Sequence, residues 1–294
     1  MLVKGSPLSD LGQMLILLKL RIGGAIVAST LAGMAIAEGP ALSPVQILVL
    51  ALSVLLAASA AGGFNHYYDA DIDAVMARTK NRPFATGRLR RSPGWLVFLG
   101  ALLVLPVLAV AWAIHPLSAL FVFLGAFFYG VVYTIWLKRR TWMNVVIGGL
   151  AGSFAILAGS TAVHPEVGGG PLAVAFVLFL WTPPHFWSLA IALKEDYTAA
   201  GIPMLPVVAG VERTAQVVRL GVVLVVLASL TMPLVGFGWL SLLGAVLGGL
   251  WFLRASWRLV DDPTRENAMA SFRASLGQLA LFLGGTVLDV QLLG

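Results

Sequence analysis

The sequence predicts an all-α, polytopic membrane protein with nine transmembrane helices. Three observations support this fold class. Only 11% of the 294 residues are charged, against about 25% in a soluble domain. The mean hydropathy is +0.93. Apolar stretches of roughly 20 residues, enough for a helix to cross a bilayer, recur along the chain. Because little lies outside these stretches, we expect a single membrane domain over residues 1–294.

The apolar stretches follow one another with short separations. They cover residues 14–37, 44–64, 95–114, 117–137, 142–162, 171–193, 215–236, 238–256 and 272–292. Only Gly236, Phe237 and Gly238 lie between the seventh stretch and the eighth. These two stretches therefore form either two full crossings or a re-entrant pair.

The distribution of Lys and Arg predicts how the spans are oriented. All 19 of these residues lie near the N-terminus or around the links 2–3, 4–5, 6–7 and 8–9, and the other four links carry none. Since positive charge marks the cytoplasmic side, we expect the N-terminus inside and the C-terminus outside. The first ten residues, MLVKGSPLSD, have the features of neither a transit peptide nor a cleavable signal. We therefore expect a prokaryotic plasma (inner) membrane.

Composition excludes several classes of function. The chain has no cysteine, so it forms no disulfide, thiolate zinc site, iron–sulfur cluster or cysteine nucleophile. A net charge of +6 is compatible with nucleic-acid binding in principle. Here the basic residues are spread over four links rather than gathered on one face, so they encode orientation in a lipid bilayer and we expect no nucleic-acid partner.

The first polar cluster follows span 2 in the segment NHYYDADID. Asn65, Asp69 and Asp73 are four residues apart, so on a helix they lie within about 80° of one another; we refer to these three residues as the acidic stripe. Asp71 points to roughly the opposite side. Carboxylate and amide oxygens are ligands that Mg²⁺ prefers.

Basic residues follow the acidic stripe closely. Arg78, Lys80 and Arg82 suit the anionic oxygens of a phosphate. Together with the acidic stripe they predict a Mg²⁺–diphosphate site where a bundle of helices meets the cytoplasm. The alternative is a solvated loop with internal ion pairs and contacts to lipid headgroups.

A second polar cluster, KEDY at residues 194–197, ends span 6 on the same side. His185 precedes Asp196 by eleven residues, which on a continuous helix brings both to one face, about 16 Å apart. Pro183 and Pro184 predict a kink just before it. An ionisable residue at this depth indicates function. The alternative is a neutral histidine bonded to a carbonyl freed by the prolines.

Two further basic residues, Arg21 and Lys138, are candidates for a diphosphate. Lys19 and Arg21 lie in an otherwise apolar stretch. Snorkelling to the interface explains Lys19 better than Arg21, so we expect Arg21 to be the diphosphate clamp. In the basic link 138–140, Lys138 is nearest the membrane and is the residue expected to reach a phosphate.

Four segments carry a resemblance to a known family. The spacing of the acidic stripe, the run 71–83, the segment 137–152 and the stretch 182–208 resemble the UbiA-type intramembrane prenyltransferases. They resemble most narrowly the branch that farnesylates haem. Many relatives have a second DxxxD motif, whereas here the residue four positions after Asp196 is Ala200. The second half-site would therefore hold a metal through fewer protein oxygens.

The resemblance implies an architecture and an activity. It implies nine helices around a central cavity and two cytoplasmic aspartate-containing loops that hold Mg²⁺ and farnesyl diphosphate, with residues 74–93 as a lid. Farnesyl would be transferred to a vinyl group of haem B, with addition of water, to give haem O. Haem-handling or oxidase-assembly proteins would be further partners.

The expected roles fall into four sets. The metal ligands would be Asn65, Asp69, Asp73 and Asp196. Of these the three aspartates, with Lys194, would be catalytic. The diphosphate would contact Arg21, Arg78, Lys80, Arg82 and Lys138, and haem would contact His185.

Three other functions are compatible with parts of the sequence. A related prenyltransferase would use an aromatic or quinone-precursor acceptor, which the stretch 182–208 disfavours. A cation-coupled transporter would carry its carboxylates near mid-membrane, whereas these lie at helix ends. A haem-binding assembly factor would not need the acidic stripe.

Overall fold

The computed structural model describes residues 10–293, with side chains from residue 12 onward. All regular secondary structure in the described part is helical, and that part contains no strand. In chain order the α-helices are α1 (Asp10–Leu18), α2 (Leu20–Ala35), α3 (Pro44–Tyr68), α4 (Ala70–Val75), α5 (Pro93–Ala113), α6 (Pro116–Phe127), α7 (Asn144–Gly148), α8 (Leu150–Val163), α9 (Gly169–Ala192), α10 (Lys194–Ala199), α11 (Leu205–Val208), α12 (Val211–Leu230), α13 (Trp239–Asp261) and α14 (Arg265–Leu293). A π-helix, Phe128–Leu137, continues α6, and a 3₁₀ turn, Met232–Val235, follows α12.

The predicted number of spans is confirmed. Among the described residues, eight helical segments are long and apolar enough to cross a membrane, and the bent pair α1–α2 makes a ninth. Helices α12 and α13 both have full spanning length, which favours two crossings over a re-entrant pair. Helices α13 and α14 extend several residues beyond the predicted spans, because arginine is a good helix former that hydropathy counts against a span.

The first span is broken, which the sequence did not predict. Lys19 has φ 48° and ψ 42°, the left-handed conformation, and is the one non-glycine residue with positive φ in the described chain. Such a conformation costs energy and needs compensating contacts. Helices α1 and α2 meet there at an angle of 43°, and the side chain of Lys19 points into the bundle.

Close helix packing holds the centre of the bundle together. At Gly33 in α2 and Gly159 in α8, a β-carbon would collide with the backbone of the facing helix. The two helices therefore approach with their backbones in contact, as small residues allow inside membranes. One large apolar core joins α8, α9 and α12 to α14, and a second joins α3, α5, α6 and α8.

The links without basic residues meet at one end of the bundle. Gln46, at the start of α3, donates through Nε2 to the carbonyl of Ala113 at 3.0 Å. Gly39 packs against Val163, and Asp289 accepts from the backbone nitrogen of Leu240 at 3.0 Å. The links 2–3, 4–5 and 6–7 consequently lie at the opposite end, which we call the charged end.

Candidate functional site

The acidic stripe lies at the junction of α3 and α4, at the charged end. Helix α3 ends at Tyr68, yet the backbone nitrogen of Asp69 still donates to Asn65 O at 2.9 Å, and that of Asp73 to Asp69 O at 2.8 Å. The helical register therefore continues through the junction. All three side chains are buried, whereas that of Asp71 is 54% exposed, so the one-sided arrangement follows the predicted spacing.

Each buried carboxylate of the acidic stripe is paired with a base from another segment. Lys138 Nζ lies 2.5 Å from Asp69 Oδ2. Arg82 NH1 lies 2.9 and 2.7 Å from the two oxygens of Asp73. A buried carboxylate needs such a partner, because its transfer from water without one is very costly.

Asn65 is bonded on both sides of its amide. Its Nδ2 donates to Asp69 Oδ2 at 2.7 Å and to Thr134 Oγ1 at 3.2 Å. Its Oδ1 accepts from Lys19 Nζ at 3.0 Å, and Lys19 also donates to the hydroxyl of Tyr129 at 3.0 Å. The break between α1 and α2 thus brings a lysine to the acidic stripe.

An ion pair forms the rim of the site. Arg139 lies within 2.7 to 2.8 Å of the two oxygens of Asp71, and reaches Asp69 Oδ1 at 3.3 Å. The hydrogen bond from Arg139 lowers the pKa of Asp71 to about 2, and the same bond raises the pKa of Arg139. Both side chains are partly exposed, so the pair is worth little for stability.

A loop connects the second polar cluster, residues 194–197, to the acidic stripe. Asp196 accepts from the backbone nitrogens of Ala77 at 3.0 Å and Arg78 at 3.2 Å. At its other side the same loop is tied to Asp73, whose carbonyl accepts from Thr79 Oγ1 at 3.0 Å. The loop 76–82 is therefore held between Asp73 and Asp196.

Several predicted phosphate contacts lie outside this network. Arg21 and Lys80 are exposed and Lys194 is partly exposed, and the side chains of these three residues make no hydrogen bond or ion pair with another described side chain. Arg78 joins through its backbone only, with its side chain exposed. Lys19 therefore faces the acidic stripe and Arg21 does not, because the left-handed turn at Lys19 directs that residue inward and leaves Arg21 outside.

His185, a residue of α9, is buried where α9 packs against α14. Its Nδ1 lies 2.6 Å from the hydroxyl of Ser275, and its ring stacks on Trp181 and Phe272 with centroids 4.1 and 4.5 Å away. The partner is a hydroxyl of another helix, not a carbonyl freed by the prolines. Helix α9 ends at Ala192, but the helical hydrogen-bond pattern continues into α10, since Leu193 N donates to Leu189 O at 3.1 Å and Tyr197 N donates to Leu193 O at 3.2 Å.

Sequence reasoning missed Lys19, Tyr129, Thr134 and Arg139 as parts of the site. Thr134 and Tyr129 lie in an apolar span, where a hydroxyl is an ordinary helix residue. The one available signal was Lys19, a lysine at the sixth position of the first apolar stretch, which snorkelling to the interface explained too easily. The pairings themselves join residues 46 to 110 positions apart.

The donor set of the site suits a divalent cation with a phosphate group. The acidic stripe supplies only hard oxygens, and Mg²⁺ commonly uses one or two carboxylates while substrate phosphate and water complete its shell. No group of three acidic or histidine side chains surrounds a single point among the described residues, so the substrate would have to contribute ligands. His66, next to Asn65, has both ring nitrogens buried and without a described hydrogen-bond partner. These ring nitrogens are therefore available for further hydrogen bonds beside the acidic stripe.

Apolar spans that carry carboxylates and bases at one membrane end define a membrane enzyme for an anionic lipid-like substrate. The chain belongs to the UbiA prenyltransferase family, whose model matches residues 26–283. It is 50% identical over 276 residues to Protoheme IX farnesyltransferase 2 of Paramagnetospirillum magneticum, covering 94% of this chain and 96% of that relative. Protoheme IX farnesyltransferase 1 of the same organism is 44% identical, with 92% and 95% covered.

The fold is also similar to that of solved structures. A UbiA homolog from Archaeoglobus fulgidus bound to DMAPP and Mg²⁺ superposes with a TM-score of 0.71 at 17% identity, covering 92% of this chain and 99% of the homolog. That structure supports the helical architecture of a multi-pass membrane prenyltransferase.

Proposed function

We propose that the chain transfers the farnesyl group of farnesyl diphosphate to a vinyl group of haem B, with addition of water, to give haem O. The observation that carries this proposal is the buried network of the acidic stripe with Lys19, Arg82 and Lys138, in a chain half identical to a protoheme IX farnesyltransferase. The network supplies both metal-type oxygens and phosphate-type bases. The name of the relative identifies haem as the proposed acceptor of the farnesyl group.

The basic side chains of the network have N–H donors that the network does not use and that are available to a diphosphate. A lysine ammonium has three N–H groups. Lys19 uses two of them and Lys138 uses one in the described network. Arg82 presents a planar fork that matches a phosphate as well as a carboxylate. These three residues would bind and orient the diphosphate, and Arg139 at the rim would guide it in.

Asn65, Asp69 and Asp73 would hold Mg²⁺, with Asp196 as a further ligand from the second cluster. Bound there, Mg²⁺ would neutralise charge on the departing diphosphate. The ion pairs of the carboxylates with Lys138 and Arg82 would then be exchanged for contacts of those bases with phosphate oxygens. The charges that stabilise the buried acids would thereby serve the leaving group.

The reaction needs charge stabilisation and exclusion of water. The bond from C1 of farnesyl to the diphosphate oxygen breaks, and the terminal carbon of a haem vinyl group forms a bond to C1. Water then adds to the cation left on the haem side and loses a proton, so haem B, farnesyl diphosphate and water give haem O and diphosphate. The bases would stabilise the charge that develops on the diphosphate, while the central cavity that the family resemblance implies would keep water away from C1 until the new bond forms.

The loop held by Asp196 would close the site. Residues 74–93 contain both the backbone nitrogens that donate to Asp196 and Arg82, which pairs with Asp73 just before the segment. Lys194, on the same short helix as Asp196, would reach the diphosphate when this lid is closed, as would Arg78 and Lys80 from within the lid. Arg21 would remain outside.

His185 would contact haem through its iron. The Ser275 hydroxyl donates its one proton to the carbonyl of Phe272 at 2.6 Å, so it accepts from His185 Nδ1–H. Nε2 then carries the lone pair that an axial ligand requires. A His185→Ala protein with an unchanged haem spectrum and full turnover would rule out this role.

The chain would lie in a prokaryotic plasma membrane with the charged end in the cytoplasm and the C-terminus outside. The basic links lie at that end, as the positive-inside rule expects of a cytoplasmic side, and the acidic clusters lie there as well. Soluble diphosphate substrates and products would reach the site from the cytoplasm. Haem-handling or oxidase-assembly proteins would meet the chain in the bilayer.

A competition between acceptors tests the proposed function. Membranes that contain the chain are supplied with farnesyl diphosphate and Mg²⁺, together with haem B and hydroxybenzoate, and the extracts are analysed by mass spectrometry. We expect haem B to gain the mass of one farnesyl group plus water. Prenylated hydroxybenzoate with unmodified haem would instead support the quinone-precursor activity. Absence of diphosphate release would point to a transporter or an assembly factor.

A further inference from the structure

The π-helix makes contact with the acidic stripe at two points. Thr134, within the π-helix Phe128–Leu137, accepts through Oγ1 from Asn65. Lys138, the residue directly after the π-helix, donates to Asp69. The hydroxyl of Tyr129 accepts from Lys19, which itself binds Asn65. One helix face thus supplies Tyr129, Thr134 and Lys138 to one polar network.

The π-helical register is what aligns these residues. In an α-helix, Thr134 would lie about 140° and Lys138 about 180° around the axis from Tyr129. A π-helix bonds each residue to the fifth before it, so positions four or five apart fall in one row. The backbone nitrogen of Lys138 donates to Tyr133 O at 2.8 Å in this pattern. An α-helical segment would keep Thr134 and Lys138 together but turn both of them away from Tyr129.

The hydroxyl of Thr134 has a defined direction. Its single proton goes to Tyr129 O, five residues earlier, at 2.8 Å. In an α-helix it would reach a carbonyl three or four residues earlier. Because that proton is used, Oγ1 can only accept from Asn65, and the side of the amide that faces Thr134 must be Nδ2.

We propose that Thr134, held by the π-helix, is a positioning residue that fixes the amide of Asn65 so that Oδ1 faces the metal and diphosphate site. The inference rests on the proposed function and names a residue outside its ligand set. Without the acceptor at Thr134, Asn65 loses one of the three contacts that distinguish nitrogen from oxygen, and only those to Asp69 and Lys19 remain. The ligand oxygen is then oriented correctly for only part of the time.

Thr134→Val removes the hydroxyl and keeps the shape. We expect Mg²⁺ with inorganic pyrophosphate to bind the full-length variant roughly fivefold to tenfold more weakly in calorimetric titrations. In turnover assays the Mg²⁺ concentration for half-maximal rate should rise, while the rate at saturating Mg²⁺ stays within about twofold. Thr134→Ser should restore affinity, and Val131→Ala, at an exposed position of the same π-helix, should leave it unchanged.

A double-mutant cycle separates positioning from general packing. If Thr134 acts through Asn65, Thr134→Val should weaken binding less than twofold further in an Asn65→Ala background. Equal affinity of Thr134→Val and wild type, or an undiminished loss in that background, overturns the inference and leaves the proposed function standing. A wild-type chain that binds no Mg²⁺–pyrophosphate at all overturns both.

Discussion

Lys138 Nζ lies 2.5 Å from Oδ2 of Asp69, a carboxylate that has no exposed surface. The lysine follows the π-helix and the aspartate follows α3, so their pairing joins residues 69 positions apart. The same carboxylate accepts from Asn65 and Arg139. Three neighbours therefore share the stabilisation of one buried negative charge, and each is a group that a diphosphate or its metal would also attract.

Replacing Lys138 by methionine removes the closest of these neighbours. We expect the variant to unfold at a lower temperature in detergent, by an amount equivalent to roughly 3 kcal/mol, because a buried carboxylate loses its main counter-charge. Farnesyl diphosphate should also bind at least tenfold more weakly. Thermal unfolding and ligand titration measure the two effects separately.

Arg140→Met provides the matched control for Lys138. Arg140 is two residues away and exposed, and its side chain bonds only to the carbonyl of Trp136 among the described groups. Its loss should leave both stability and affinity close to wild type. Similar effects of the two substitutions would mean that only the positive charge of the link matters.

Lys19 and Arg21 offer a direct comparison between sequence reasoning and structure. Lys19→Met should weaken diphosphate binding at least tenfold, because Lys19 reaches Asn65 and Tyr129, whereas Arg21→Met should change it less than twofold. Titration of the two purified variants with farnesyl diphosphate measures this. The reverse order would restore Arg21 as the clamp.

The Asp71–Arg139 pair should be visible through its pH dependence. The pKa of Asp71 is lowered from 3.8 to about 2 in the folded chain. The pair therefore stabilises the fold above the usual aspartate pKa, and this contribution is lost as the pH falls toward 2. Asp71→Asn should lower stability by less than about 1 kcal/mol near neutral pH, since both groups are partly exposed.

Unfolding temperatures at several pH values test the sign of this effect. The difference between wild type and Asp71→Asn should be constant between about pH 6 and pH 8 and should shrink below about pH 4. A difference that grows on acidification would contradict the assignment.

Asp289 should matter for stability at the end opposite the site. Its buried carboxylate accepts from the backbone nitrogens of Gly238 and Leu240, at the first turn of α13, where unpaired nitrogens and the helix dipole favour an anion. Asp289→Ala should cost roughly 2 kcal/mol, and Asp289→Asn less, because the amide keeps one acceptor oxygen. Thermal unfolding checks both variants, and an Ala variant as stable as wild type would show that the contact is dispensable.

Hydropathy and charge were sufficient for the number of spans and the gathering of the charged links at one end, because both depend on composition within each segment. Helical spacing likewise placed Asp71 away from the buried acidic stripe. These features are local, and they follow from the bilayer thickness and the 3.6-residue turn.

The remaining features depend on contacts between distant segments. The left-handed turn at Lys19 is unfavourable on its own, and it occurs where Lys19 makes hydrogen bonds to Asn65 and Tyr129. The π-helix has the composition of an ordinary α-helix. Its register is recognisable only from the contacts that Thr134 and Lys138 make with residues at the end of α3. Sequence spacing therefore found the acids but not which bases pair with them.

The most direct test of the account is the mass of haem extracted from membranes that contain wild type, Asp69→Asn or Asp73→Asn, each with haem B, farnesyl diphosphate and Mg²⁺. Wild type should convert haem B to a product heavier by one farnesyl group and water, while both variants insert normally and form less than about 1% as much, a loss typical of removing a group that stabilises the transition state. Product from either variant at a rate near wild type would contradict the claim that these two carboxylates carry the reaction.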